Sequence, residues 1–215
     1  MPWFQLGLYY FAAWLCLLSL GFVLFRFPLR PYAVQLVLSA LLLTYISVLI
    51  RQYDKIYLVA TVQPICAILC YRLIFRLRLL YSAMITVVAY SINFILEFLL
   101  NMAFVQFQIG RFLVVIKDGS FAVAVLILFI DLLLCYLLSK YRIGFSFIPK
   151  HNRGKFVYSG QNKQLMTAFG IALGALLVSS LTIFFIAEYA FYFQVLVVIL
   201  WGVVLRMAYQ KEVSD

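Results

Sequence analysis

Residues 79–104 read LLYSAMITVVAYSINFILEFLLNMAF, twenty-six consecutive positions with one acid, Glu97, and no basic residue. A helix of that length reaches roughly 39 Å at about 1.5 Å per residue, more than the ~30 Å hydrocarbon core of a bilayer. Outside this run the composition is of the same kind. The 215 residues are 67% hydrophobic and 11% charged, where soluble domains hold about 45–50% apolar and about 25% charged residues. An ordinary globular domain and a disordered chain are both excluded.

Six further apolar blocks flank the first, giving spans at about 4–25, 33–50, 56–75, 79–104, 121–138, 165–187 and 190–207. The expected fold is all-α: a polytopic integral membrane protein, a bundle of about seven transmembrane helices forming one transmembrane domain over residues 1–215. The N-terminus lacks a basic leader and a small-residue cleavage site, so the first block reads as a retained helix. Pro28 and Pro31, with Arg26 and Arg30, stop it. Pro64 after Gln63 predicts a kink in the third block. In the connection carrying Gln106, Gln108, Arg111, Lys117 and Asp118, the apolar stretch 112–116 is too short to span. Glu188 and Tyr189 read as a tight hairpin between the last two blocks, and 140–164 is the one sizeable hydrophilic segment. No stretch outside the apolar blocks is long enough for a second domain.

The net charge is +10, from 17 Lys and Arg against 7 Asp and Glu. With seven spans, Arg26, Arg30, Arg72, Arg76, Arg78, Lys140, Arg142, Lys150, Arg153, Lys155, Lys163, Arg206 and Lys211 fall on one side. Arg51, Lys55, Arg111 and Lys117 fall on the other. Cytoplasmic loops carry the excess of Lys and Arg, so this asymmetry predicts the N-terminus outside and the C-terminus cytoplasmic. The basic excess is read as topology, with 140–164 as a cytoplasmic loop near anionic headgroups, and not as a nucleic-acid footprint.

Two acids, Glu97 and Asp131, lie well inside apolar blocks, where a charge costs at least about 2.5–3.5 kcal/mol. Thr86, Tyr90, Asn93, Glu97 and Asn101 recur at steps of three and four and share one helix face. Glu97 lies about seven residues from the outer end of its block and Asp131 about ten from that of its own, a depth difference of roughly 5 Å. Tyr90, Asn93, Glu97, Asn101 and Asp131 therefore form a candidate polar cavity, with no Lys, Arg or His expected at the same depth. Three readings fit it: interhelical hydrogen bonding, a site for a ligand or signal, and proton or ion coupling. Gly170 and Gly174, in Gly-Ile-Ala-Leu-Gly, mark a close helix approach, either within the bundle or to a second copy of the chain.

Other chemistry is thin. Cys16, Cys66, Cys70 and Cys135 all lie in apolar runs and read as packed thiols, including the Cys66/Cys70 pair one turn apart. His151 is the sole histidine and stands in no catalytic or metal-binding pattern. Gly154-Lys155 and Gly160 lack phosphate-loop spacing. No enzyme activity, metal or cofactor is expected.

Phe25-Arg26-Phe27-Pro28-Leu29, then Phe75-Arg76-Leu77-Arg78 leading into Tyr81-Ser82-Ala83-Met84-Ile85, then the Asn93/Glu97 helix, resemble the membrane sensor regions of bacterial histidine kinases of the accessory-gene-regulator type. Members of that family sense peptide pheromones, and their last helix leads into a cytoplasmic dimerisation and ATP-binding region. The resemblance implies a multi-pass protein of the bacterial cell membrane that binds an extracellular signal, or associates with a separate histidine kinase or other membrane protein. Because the sequence stops at Asp215, a stand-alone sensor without a kinase domain is expected. The His and Cys pair of the peptide-processing protease of such systems is absent. The competing class is a small transporter or a transporter's substrate-binding subunit, resembling the vitamin-binding components of energy-coupling-factor transporters. Against it stand seven expected spans where those proteins have six.

Overall fold

The computed structural model describes residues 3–53, 59–106, 108, 121–145 and 187–214, together with helical positions 167, 168, 170, 171, 174, 175 and 178. The described residues contain helices and no strand. They are α1 (Trp3–Leu24), α2 (Ala33–Gln52), α3 (Val59–Leu73), α4 (Leu79–Phe104), α5 (Phe121–Tyr141) and α6 (Ala187–Ser214), with a single 3-10 turn at Arg30–Tyr32 before α2. Four stretches are long and apolar enough to cross a membrane: Gln5–Leu24, Arg30–Gln52, Leu79–Phe104 and Ala122–Tyr141. The chain therefore has the make-up of an integral membrane protein.

The uncharged helix α1 is the centre of the bundle, packed against α2, α4 and α5, while α3 lies against α2 and α4. Leu18, Leu20 and Phe22 are all but inaccessible, as expected of a helix apolar all round. Toward the core α2 presents Leu36, Ser39, Ala40, Leu43 and Ser47; three of these are small, which lets the helix backbones approach closely. Val34, Leu38, Leu41, Leu42 and Tyr45 face outward, where a bilayer would solvate them.

At one end of the bundle the helix termini are clamped together. The rings of Phe22, Phe27, Tyr32, Tyr71 and Phe75 pack with centroids 4.7–6.1 Å apart. Gly21 is required there: a Cβ on it would stand 2.6 Å from the Tyr71 hydroxyl oxygen and 2.9 Å from Ile85 Cγ2. The Tyr71 hydroxyl donates to the Leu18 carbonyl at 3.0 Å. After α5 the chain folds back on the same place. The Phe145 amide donates to the Leu24 carbonyl at 2.7 Å, and its ring meets Phe25 at 5.6 Å. Gly144 makes this possible, because a Cβ there would lie 2.5 Å from that carbonyl oxygen.

Arg26, Arg76 and Arg142 follow α1, α3 and α5 with φ of 54°, 56° and 53°, the left-handed conformation that glycine normally supplies at a helix end. Arg26 and Phe27 donate back to Val23 and Phe22, closing the exposed carbonyls of the last turn. A non-glycine residue in this conformation costs about 1–2 kcal/mol. A cation beside the negative end of the helix dipole offsets part of that, by about 0.3–1 kcal/mol.

One detail departs from the sequence reading. Glu188 and Tyr189 do not form a hairpin; they are the second and third residues of α6, because Ala-Glu-Tyr-Ala contains no glycine or proline to interrupt a helix. Pro64 sits inside α3, the position at which a kink is expected. The segments 112–116 and 146–164 lie outside the described residues.

Candidate functional site

The helix directions sort the charges. Rings from the end of α1, the start of α2 and the end of α3 share one cluster, and the chain after α5 joins it, so Arg26, Arg30, Arg72, Arg76, Arg78, Lys140 and Arg142 gather at one end. Phe191, near the start of α6, packs on Phe98 with centroids 6.2 Å apart and against Met102 and Val105. α6 therefore starts at the opposite end and runs back, carrying its exposed Arg206 toward the arginine end. Arg51, at the end of α2, is the one described basic residue at the far end.

Of the two acids inside apolar helices, Glu97 lies toward that far end on α4 and Asp131 near the middle of the bundle on α5. Asp131, midway along α5, is 4% exposed, and its Oδ1 has no hydrogen-bond partner among the described residues. It lies within electrostatic reach of Cys16 on α1 and of Cys135, one turn further along α5. The Cys135 thiol itself points to the Cys16 carbonyl at 3.9 Å. Glu97 on α4 is exposed.

Tyr9 on α1 links the two, being within electrostatic reach of Glu97, Asp131, Tyr10 and Arg51. The long Arg51 side chain reaches along the bundle, and its Nη1 donates to the Tyr10 hydroxyl at 3.4 Å. Neither Tyr9 nor Arg51 stood out in the sequence, where fifteen tyrosines and seventeen basic residues offer no way to choose.

The remaining expected residues divide. Asn93 is half-buried on α4 one turn before Glu97, and Asn101 is buried one turn after it. Tyr90 lies deeper: its ring packs on Trp14 at 6.2 Å, and its buried hydroxyl has no partner among the described residues. Beside it Ser47 is a buried polar junction that accepts from Trp14 Nε1 at 2.8 Å and from Gln63 Nε2 at 2.9 Å, and donates to the Leu43 carbonyl at 2.7 Å. That three-helix junction fits the interhelical hydrogen-bonding reading better than any residue expected to carry it. Gly170 is exposed and Gly174 half-buried, and a Cβ on either would meet no atom within 4 Å.

Chemically, the two carboxyl groups, two phenols and one guanidinium on this side of the bundle fall within electrostatic reach of one residue, Tyr9, itself one of the phenols. Among the described residues no three His, Cys, Asp or Glu side chains gather as metal ligands. All four cysteines are free thiols. No family model, curated protein or solved structure matches the chain.

Proposed function

We propose that the chain is a multi-pass sensor of the cell membrane that binds a signal in the Glu97/Asp131 crevice from the outside and relays it to a partner membrane protein, such as a separate histidine kinase. One observation carries this reading: a carboxyl group buried midway along a membrane helix, one oxygen without a partner among the described residues, with a second acid, Glu97, on an adjoining helix. An embedded ionisable group of this kind is expensive to keep and marks a functional site by default. The seven-span topology, with the N-terminus outside, has its own support. α5 ends at the arginine end and α6 begins at the other, so the chain between residues 142 and 187 has to return across the bundle. Among the described residues, eight exposed or half-exposed basic side chains at one end against Arg51 at the other agree with a cytoplasmic arginine face.

The test is a screen of the purified protein against fractionated culture medium and small metabolites, read by thermal unfolding. A signal bound at 100 times its dissociation constant stabilises by about 2.7 kcal/mol, a shift of several degrees. That shift is expected in the native chain and absent in Asp131→Asn. Accumulation of the stabilising solute inside proteoliposomes would move the protein to the transporter class. Stabilisation equal in the native chain and in Asp131→Asn and Glu97→Gln would remove the crevice as the site.

A further inference from the structure

We propose that the outward face of α5 seats one anionic phospholipid, its phosphate held by Lys140 and an acyl chain laid along the helix; this seat is independent of the signal site proposed above. Leu126, Phe129, Leu133, Tyr136 and Lys140 follow one another at steps of three and four, so they share one helix face, and all five are exposed. The buried face of α5 is a different one, carrying Val123, Asp131 and Cys135. From Leu126 to Tyr136 the exposed stripe rises about 15 Å, half of a ~30 Å hydrocarbon core and hence one leaflet. It then ends on a cation at the last turn of the apolar span Ala122–Tyr141. Asp131, the one acid on α5, belongs to the buried face, so the stripe itself carries no negative charge. The cation is held in place. Lys140 Nζ stands 5.8 Å from the ring centroid of Tyr136 and 5.8 Å from that of Tyr141, within the range of cation–π attraction. Two tyrosines keep the ammonium at the level where such rings sit among headgroups, and its three donors suit the oxygens of a phosphate. Just beyond, the Phe145 amide donates to the Leu24 carbonyl at 2.7 Å and ties the chain after Lys140 and Arg142 to the end of α1. A zwitterionic lipid fits the same stripe but brings its own cation beside Lys140, and like charges at such distances repel.

The experiment titrates the intact protein, in a neutral detergent, with phosphatidylglycerol and with phosphatidylcholine of the same acyl chains, counting bound lipid by native mass spectrometry; glycerol phosphate serves as the headgroup without a tail. One phosphatidylglycerol is expected to bind about fivefold more tightly than phosphatidylcholine. Lys140→Gln should lower its affinity by about fivefold and abolish the preference, and Tyr136→Leu should lower it by about two- to threefold. Arg30→Gln removes one charge at the same end of the bundle and should change it by less than about twofold. Lys140, Tyr136 and Arg30 are all exposed, so the variants keep the fold. Equal affinity for the two lipids would overturn the proposal. So would equal losses in Lys140→Gln and Arg30→Gln, the mark of a diffuse attraction to the whole basic end. Displacement of the lipid by an equal concentration of glycerol phosphate would overturn the phospholipid as the occupant, since the apolar stripe would then contribute nothing.

Discussion

α4 passes through two different environments within one helix. From Tyr81 to Ser91 every side chain is buried except Ala83 and Tyr90, which are half-buried; from Ile92 to Leu100 none is. α1 repeats the contrast in the opposite chain direction. Near its C-terminus a Cβ on Gly21 would collide with Tyr71 and Ile85, while near its N-terminus a Cβ on Gly7 would meet nothing within 4 Å. The bundle is thus closed and aromatic at the arginine end and more exposed along the stretch that carries Glu97, beyond which Asn101, Met102 and Val105 are buried again. Interior packing is normally as dense as an organic crystal.

The contrast can be broken by substitution. Gly21→Val is expected to have the largest effect, about 1–3 kcal/mol of stability lost through overpacking in the closed half, measured by unfolding in mixed micelles. Ser47→Ala follows, at about 1–2 kcal/mol, because the Trp14 and Gln63 donors both lose their acceptor; a shift in tryptophan emission should accompany it. Phe145→Ala is expected to cost about 0.5–1.5 kcal/mol by removing the ring stacked on Phe25, and to make the chain after α5 more sensitive to protease. In the open half, Gly7→Ala and Glu97→Gln should each change stability by no more than about 0.5 kcal/mol. Equal penalties for Gly7→Ala and Gly21→Ala would dissolve the contrast.

Much of this was legible in the sequence, and what was not has one cause. Long uncharged runs announce membrane helices because the bilayer admits no unsatisfied backbone, so α1, α2, α4 and α5 fall close to their expected bounds. Glu97 and Asp131 stand out for the same reason: acids inside such runs are rare. What escaped was pairing across the fold. Trp14 meets Ser47 thirty-three residues away, and Tyr71 reaches the Leu18 carbonyl over fifty-three; no local pattern distinguishes these from other serines and tyrosines. Gly21 looked like any glycine in an apolar helix, while a Cβ on Gly170 or Gly174 would meet no atom within 4 Å among the described residues. Spacing reports which face residues share, and only the tertiary arrangement decides what that face touches. The three arginines in left-handed helix caps were equally hidden, since that position normally calls for glycine.

Labelling at Glu97 tests the central claim most directly. In a chain whose four cysteines are replaced by alanine, Glu97→Cys is exposed in intact cells to a membrane-impermeant maleimide, with Arg76→Cys as the control at the arginine end. An outward-facing crevice predicts rapid modification at position 97 without permeabilisation, and modification at position 76 only after it. No reaction at position 97, or reaction there only after permeabilisation, would contradict a water-filled crevice open to the outside.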